Sequence, residues 1–336
     1  MGIQPRVEIL LATYNGQQFI RQQIDSLLGQ DYDHLSVLAR DDGSSDGTQK
    51  VLEQYAQLYP GRFGVVESGS TNGGILNNFL SLMKASSSDY VCFSDQDDVW
   101  LPDKVSKTKR VMEGLELKWG NQTPLLVFTD LRVVDENLET LYPSFWVRMG
   151  IDPEWINQFG RLLGNPVVTG CTAMVNRRLL ELAFDMPREA SLHDRWMGHI
   201  ASAMGKAGFL REQTVLYRQH GRNAIGIGND EAPRSLFRRI PDYARSGPLY
   251  VAAWQSSQEQ AAAFLKVHGA DLPAKKREEL MAFRRCETSG NRFVRAATFV
   301  SHRFYYSGSR WSKIAVFFHL WSSRSTGDQT FGITRP

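Results

Sequence analysis

The chain has 336 residues, of which 42% are hydrophobic and 22% are charged, and its formal net charge is +3. This length exceeds the size at which one hydrophobic core usually stops growing, so we expect two domains or one domain with a large appendage. The composition excludes wholesale disorder. The small net charge identifies no partner by itself, and we expect no nucleic acid among the partners.

Cysteine usage and hydropathy indicate the cellular compartment. The three cysteines, Cys92, Cys171 and Cys286, lie far apart and form no zinc-binding array, which predicts reduced thiols in the core. No signal-peptide pattern precedes the first strand, and no apolar run approaches the roughly 18 residues that a membrane-spanning helix needs. We therefore expect a cytoplasmic protein, with any membrane attachment peripheral and at the inner face of the cell membrane.

The first half of the chain alternates between strand-like and helix-like segments. Short, nearly continuous apolar runs predict buried strands, and apolar residues at helical spacing follow each run. The predicted strands are VEILLATY, LSVLARDD, FGVVES and DYVCFSD, and a further helix begins at Pro102. This alternation predicts an α/β fold with a mostly parallel central sheet, flanking helices and right-handed crossovers.

A polar cluster follows each predicted strand. The clusters are TYNG, RDDGSSDG, STNGG and SDQDD. Because ligands bind at the carboxyl ends of strands in open α/β sheets, four clusters at one sheet edge favour a binding site over polar loops placed by chance.

The alternation weakens after LLVFTDLRVVD, and a boundary near residue 230 follows the Gly/Asn-rich segment GRNAIGIGND. We expect a catalytic domain over residues 1–230 and a helical C-terminal extension over residues 231–336. The extension reads as the helices PRSLFRRI, LYVAAWQSSQEQAAAFLKV and SRWSKIAVFFHLW. It mixes aromatic with basic residues, which is typical of a peripheral membrane contact. A helix packed on its own domain and a homodimer contact are the alternatives.

The segment FSDQDDVW places the carboxylates of Asp95, Asp97 and Asp98 within four residues. Mg²⁺ and Mn²⁺ prefer oxygen ligands, and Mg²⁺ is typically held by one or two carboxylates together with substrate phosphates. The segment therefore predicts a metal–diphosphate site. The alternative is that Asp97 and Asp98 only cap the helix that begins near Pro102.

The segment RDDGSSDGT places Asp41 and Asp42 at a strand end, where a carboxylate can accept hydrogen bonds from a base or a ribose. Gly43 permits a sharp turn, and Asp46 is a predicted N-cap of the next helix. The segment matches neither of the two glycine-rich phosphate-binding patterns, GxxxxGK(S/T) and GxGxxG. A purely structural turn is the alternative interpretation of the two carboxylates.

Seven segments together resemble the inverting glycosyltransferases of family 2, in particular their bacterial rhamnosyltransferase-like branch. They are LATYNG, RDDGSSDGT, NGGILNNF, YVCFSDQDDVWLPDKV, GCTAMVNRRLL, HDRW and YRQHGRNAIG, and they fall within residues 5–228. The resemblance implies the GT-A fold, which binds nucleoside-diphosphate sugars.

The resemblance also implies roles for the matching positions. The nucleotide would be bordered by Thr13, Tyr14 and Asn15, with Asp42 at the base and Asp95 beside the ribose and diphosphate. Either Asp97 or Asp98 would bind the metal, with His220 as a second ligand that suits Mn²⁺ better than Mg²⁺. For His220 the alternative is a surface histidine.

In HDRW, the resemblance implies that Asp194 is the base that takes the proton of the acceptor hydroxyl. Asp194 is otherwise an N-cap of the helix that follows, and His193 is a second candidate base in principle. The acceptor side would be formed by Gly170, Cys171, Thr172 and Trp196. The alternatives are a buried strand end for the first three and a core aromatic for Trp196, as for Trp100.

We therefore expect a metal-dependent inverting glycosyltransferase that uses Mn²⁺ or Mg²⁺. Its donor would be dTDP-rhamnose, slightly ahead of a UDP-sugar, and its acceptor a hydroxyl of a growing, lipid-linked bacterial surface glycan. A catalytically silent module that binds nucleotide-sugar or carbohydrate is the main alternative. A sugar nucleotidyltransferase is a weaker one, because LATYNGQQF lacks the Gly-rich, basic character of a triphosphate-binding loop.

Overall fold

The structure is a computed structural model that describes residues 6–67, 73–188, 190–221, 239–301, 304 and 310–322. The chain divides into two compact units. The first unit comprises residues 1–157, 167–188 and 192–229, and the second comprises residues 158–166, 189–191 and 230–336. The predicted segments STNGG, GRNAIGIGND and PRSLFRRI lie largely or wholly outside the described residues.

One sheet organises the first unit, and nine strands belong to it within the described residues. They are β1 (Val7–Thr13), β2 (Leu35–Asp41), β3 (Phe63–Val65), β4 (Tyr90–Ser94), β5 (Val99–Trp100), β6 (Leu125–Val134), β7 (Thr140–Tyr142), β8 (Met174–Asn176) and β9 (Lys206–Arg218). The strand order is β3-β2-β1-β4-β8-β6-β9-β5, and β7 pairs antiparallel with the C-terminal end of β6.

The first four strands of this order form a parallel half-sheet, as the alternating sequence predicts. Strands β1, β2 and β4 are buried along nearly their whole length, which explains their continuous apolar sequences. Amphipathic helices pack their apolar residues against this half-sheet. They are α1 (Ile20–Leu28), α2 (Thr48–Leu58) and α3 (Gly74–Ala85).

The second half of the sheet is mixed, so the expectation of a mostly parallel sheet holds only for the first half. Strand β8 lies antiparallel between β4 and β6, whereas β9 runs parallel to β6 with register shifts near Asp130. The sequence indicates a strand followed by a helix at this point, but a strand of three residues carries no sign that it pairs antiparallel. The helices here are α4 (Lys104–Trp119), α5 (Phe145–Met149), α7 (Arg177–Leu182) and α8 (His193–Met204).

The second unit is helical in its described residues. Two of its helices correspond to the predicted segments LYVAAWQSSQEQAAAFLKV and SRWSKIAVFFHLW, whereas the helices Ala274–Thr288 and Arg292–Ser301 are not among the predicted ones. It contains α6 (Phe159–Leu162), α9 (Arg239–His268), α10 (Ala274–Thr288), α11 (Arg292–Ser301) and α12 (Arg310–Ser322). Its core is aromatic: the Trp254 ring lies 4.9 Å from that of Phe283 and 5.4 Å from that of Phe299, between centroids. Among the described residues, no helix combines the length and apolar character needed to cross a membrane.

Candidate active site

The carboxyl ends of β1 and β2 are joined through the carboxylate of Asp41. Its Oδ1 accepts hydrogen bonds from the hydroxyls of Thr13, at 2.9 Å, and Ser44, at 2.6 Å, and its Oδ2 accepts from the backbone N–H of Gly43 and of Ser44. Gly43 has φ of +89°, a conformation that glycine adopts without steric cost. Asp41 is thus a structural residue that shapes the turn after β2, and Thr13 is turned toward it.

Tyr14 and Asn15 form the exposed lip of the site. The backbone N–H of Tyr14 donates to Gln96 Oε1 at 2.7 Å, and Gln96 Nε2 donates back to the carbonyl of Tyr14 at 2.8 Å. Asn15 adopts φ of +51°, and its side-chain oxygen accepts from the N–H of Ser45. These bonds hold the loop after β1 against the loops after β4 and β2, and the Tyr14 ring remains half exposed for a planar ligand.

Asp42 is buried, and its carboxylate already accepts hydrogen bonds from the protein. The backbone N–H groups of Gly73 and Gly74 donate to its two oxygens at 3.1 and 2.8 Å, and Arg40 lies 3.3 Å away. The carboxylate therefore satisfies the first N–H groups of α3. Oδ1 thus accepts two hydrogen bonds and Oδ2 one, so the predicted contact to a base would have to use the second lone pair of Oδ2.

Asp97 and His220 converge from the loop after β4 and from the end of β9. Asp97 Oδ2 and His220 Nε2 lie 2.9 Å apart, and both side chains are mostly buried. Two adjacent ligands of an octahedral cation with bonds of about 2.1 Å are about 3.0 Å apart, so the pair has the spacing of a metal site. An imidazole with a carboxylate suits Mn²⁺ and other divalent transition metals.

Asp98, by contrast, is fully buried and faces into the protein. Its Oδ1 accepts from the backbone N–H of Arg218 at 3.1 Å. Burial, with the nearby charges of Asp97 and Asp95, raises the pKa of Asp98 well above its usual range. The geometry thus favours Asp97 over Asp98 for the metal, an alternative that the sequence leaves open.

Asp95 is influenced by the charges both of Asp97, in the Asp97–His220 pair, and of Asp194, on α8. Burial, followed by the charges of Asp97 and Asp194, raises the pKa of Asp95 to about 7. Carboxylates that repel one another in this way need protons or a cation. The donor set and its unbalanced charge therefore fit a divalent metal and its diphosphate ligand.

Arg218 is a site residue that sequence reasoning missed. Its Nε donates to the carbonyl of Asp97 at 2.7 Å, its guanidinium also reaches the carbonyl of Glu136 and Gln22 Oε1, and it lies over the ring of Phe19. Arg218 is fully buried, so it fixes the loop of Asp97 and the end of β9 together. The sequence sign of this role is that Arg218 lies two residues before the predicted metal ligand His220.

Asp194 lies in the first turn of α8, and its carboxylate points back to the turn before β8. Oδ2 accepts from the backbone N–H of Gly170 at 3.1 Å, and Oδ1 accepts from the N–H of Arg195 at 2.6 Å. Leu192 occupies the N-cap position, so Asp194 is not the N-cap itself. The positive end of the α8 dipole therefore faces the Asp194 carboxylate.

His193 fits a structural role better than that of a base. Its ring packs against Phe79 at 4.0 Å and Phe93 at 5.1 Å between centroids, and burial lowers its pKa. A Cβ at position 170 would lie 2.8 Å from His193 Nε2, which explains the glycine there. The ring therefore packs beneath the loop that holds Asp194.

The predicted acceptor side is mostly buried in this structure. Gly170, Cys171 and Thr172 form a buried 3₁₀ turn; the Gly170 N–H donates to Asp194, and Cys171 Sγ lies within 4.8 Å of an oxygen of Asp95. Trp196 is 0% exposed, so the expectation that it faces a sugar is wrong here, and it is a core aromatic. Trp100 is also buried, with Lys104 Nζ 4.0 Å from its ring centroid.

Comparison with known proteins gives one family match and several relatives. The model for glycosyl transferase family 2 matches residues 8–183, more than half of the chain. The dTDP-rhamnosyl transferase RfbG of Shigella flexneri is 28% identical over 228 residues, covering 64% of this chain and 73% of that protein. The putative glycosyltransferase EpsE of Bacillus subtilis is 27% identical over 133 residues, covering 40% of this chain and 48% of EpsE.

Two groups of solved structures share the fold. S. aureus TarS 1–349 superposes with a TM-score of 0.54 at 14% identity, covering 94% of this chain and 90% of that chain. The mannosyltransferase PcManGT from Pyrobaculum calidifontis, in complex with GDP-Man and Mn²⁺, gives a TM-score of 0.50 at 17% identity, covering 93% and 78%. At these identities the likeness shows the fold alone, and it is the GT-A fold that the sequence predicts.

Proposed function

The chain belongs to glycosyl transferase family 2 and is a glycosyltransferase. We propose that it transfers a sugar from a nucleoside-diphosphate donor to an acceptor hydroxyl, with inversion at the anomeric carbon and with the help of a metal ion. The rings of Phe93, on β4, and His193, on α8, lie 5.1 Å apart between centroids, which brings the start of α8, with Asp194, beside the end of β4, with Asp95. The carboxylate proposed to accept a proton and the carboxylates proposed to bind the metal ion of a diphosphate therefore lie in one site. This proximity is the observation that carries the proposal.

The acceptor hydroxyl becomes a competent nucleophile when Asp194 takes its proton as the new bond forms. The N–H groups of Gly170 and Arg195 hold the Asp194 carboxylate in one orientation. Attack from the face opposite the leaving diphosphate inverts the anomeric centre, so no protein nucleophile takes part.

Asp97 and His220 would hold the cation, and Asp95 would face the ribose and diphosphate of the donor. A divalent ion bound there, Mn²⁺ or Mg²⁺, offsets the negative charge that grows on the leaving diphosphate. Thr13, Tyr14, Asn15 and Asp42 would border the nucleotide. The Tyr14 ring, half exposed at the lip, is placed to cover the base.

For the donor sugar we propose rhamnose from dTDP-rhamnose, because RfbG is named a dTDP-rhamnosyl transferase. A UDP-sugar is the second candidate, since TarS has been crystallised with UDP-GlcNAc and superposes with a TM-score of 0.53. For the acceptor we propose a growing bacterial surface glycan on a lipid carrier. The protein would then act in the cytoplasm, at the inner face of the cell membrane.

The test separates binding from transfer. Titration of dTDP, UDP and GDP with and without Mn²⁺ should show binding that the metal strengthens and that Asp97→Ala weakens. Asp194→Asn should keep that binding and lose transfer by about 10²–10⁴-fold, the usual contribution of a general base. Asp185→Asn, an exposed aspartate of the same unit, serves as the control and should retain full activity. Full activity in Asp194→Asn would remove Asp194 as the base.

A further inference from the structure

Cys171 faces the carboxylates of the site from the turn before β8. Its Sγ and one oxygen each of Asp95 and Asp98 all lie within 4.8 Å of one another. We propose that these three residues form a second metal site, beside the Asp97–His220 pair, that binds a thiophilic divalent cation such as Zn²⁺ or Cd²⁺.

An unsatisfied carboxylate oxygen supplies independent support. Asp98 is 0% exposed, and its Oδ2 accepts no hydrogen bond from any residue that the structure describes. A buried oxygen of this kind costs free energy unless a proton or a cation meets it. A cation bound to Cys171 and Asp95 would lie within reach of this carboxylate.

The donor set selects the class of metal. A thiolate is a soft ligand that Mg²⁺ and Mn²⁺ avoid, whereas Zn²⁺ binds thiolate and carboxylate together in tetrahedral sites. On binding, the metal–sulfur bond replaces the S–H bond and the proton leaves to solvent. Three protein ligands leave the fourth position open, and half-buried Asp95 lies toward the solvent side.

This site would make the enzyme sensitive to thiophilic metals. Asp95 is shared with the proposed donor site, so an ion held by Cys171 would draw Asp95 away from the nucleotide-sugar. This consequence, unlike the binding itself, rests on the proposed function. Zn²⁺ should inhibit transfer at saturating Mn²⁺, and Cys171→Ser should relieve the inhibition.

The binding test needs no sugar transfer. Metal-free, reduced protein is titrated with Cd²⁺, and the ultraviolet ligand-to-metal band of the Cd²⁺–thiolate bond is followed. The chain offers matched controls, because Cys92 and Cys286 are also buried but lie outside the cluster. We expect a band that saturates at one thiolate-bound Cd²⁺ per chain in the wild type, loss of the band in Cys171→Ser, and retention of the band in Cys92→Ser and Cys286→Ser.

A second variant covers the case in which Cys171→Ser fails to fold. Asp98→Asn keeps the thiol and should weaken Cd²⁺ binding by more than the roughly 10–100-fold that loss of an outer-shell partner costs. His220→Asn should keep the band, which separates this site from the Asp97–His220 pair. No band in the wild type, or an unchanged band in folded Cys171→Ser, would overturn the proposal. Loss of transfer in Asp194→Asn has no bearing on this result, so the two proposals fail separately.

Discussion

The four carboxylates of the site differ in what surrounds them. Asp98 accepts a hydrogen bond from the Arg218 N–H, and Asp97 lies beside the imidazole of His220. Asp194 accepts hydrogen bonds from backbone N–H groups, whereas the charges near Asp95 are those of other carboxylates. Asp95 and Asp98 are therefore the groups whose charge is least compensated, and of the two Asp95 is the more exposed. Neutralising it is the contribution expected of a bound cation.

We predict that Asp95 makes the metal-free protein less stable as the pH rises. The pKa of Asp95 is raised in the folded state to about 7, above its ordinary value of 3.8, so the folded protein binds more protons than the unfolded chain between these values. The free energy of unfolding therefore falls as pH rises through this window, and the loss is complete above about pH 7.

The measurement is the melting temperature of metal-free wild type and Asp95→Asn from pH 4 to pH 8. The difference between the two should grow in favour of the variant as pH rises, because asparagine never acquires the charge. Saturating Mn²⁺ should reduce this pH dependence in the wild type. A constant difference across the range would mean that the charge of Asp95 is already compensated.

At the scale of elements, β9 brings distant parts of the chain into the site. The parallel half-sheet and its strand-end clusters are predictable from sequence. Buried strands appear as short continuous apolar runs, whereas amphipathic helices repeat their apolar residues every three to four positions. The insertion of β8 and the pairing of β9 are not, because three-residue strands and partly exposed strands carry little pattern. The preference for Asp97 over Asp98 follows from this pairing, since β9 ends at Arg218, whose N–H donates to Asp98 Oδ1, and His220 follows two residues later, beside Asp97.

We predict that Arg218→Lys weakens metal binding while the fold survives. Lysine keeps the positive charge, but one ammonium cannot reach the carbonyls of Asp97 and Glu136 and the side chain of Gln22 at once. The Asp97 loop and β9 should then lose their fixed spacing. Mn²⁺ affinity, measured by electron paramagnetic resonance titration of free Mn²⁺, should fall about 10–100-fold.

The control is Arg211→Lys, because Arg211 is also on β9 but is exposed and lies 3.7 Å from Asp152. It should leave Mn²⁺ affinity unchanged. Nucleotide binding without metal should be similar in both variants. Equal Mn²⁺ affinity in Arg218→Lys and the wild type would show that the loop keeps its position without the guanidinium.

At the scale of the whole molecule, the two units carry different kinds of surface. The first unit contains the polar site at its strand ends, whereas the second exposes apolar side chains on α11 and α12, among them Phe293, Val300 and Phe318. From Lys275 to Arg324 there are eleven Lys and Arg residues against three Glu. Exposed apolar side chains among basic ones suit an interface with anionic lipid.

We predict that the second unit binds anionic membranes through these side chains. Deleting residues 284–336 is a poor test, because Phe299 on α11 packs against Trp254 and the deletion would open the core of this unit. The double variant Phe318→Ser/Val300→Ser removes two side chains that are 56% and 51% exposed, so the core should remain intact. Wild type should float with liposomes of anionic lipid, and the double variant should stay largely in solution.

Leu117→Ser is the matched control, because Leu117 is 93% exposed on α4 of the first unit. It removes a strongly exposed apolar side chain without touching α11 or α12, and should float like the wild type. High salt should reduce wild-type flotation, since attraction between basic side chains and anionic lipid is screened within about 10 Å at 0.1 M salt. Flotation of the double variant at wild-type levels would place membrane contact elsewhere, and a wild type that never floats would remove it.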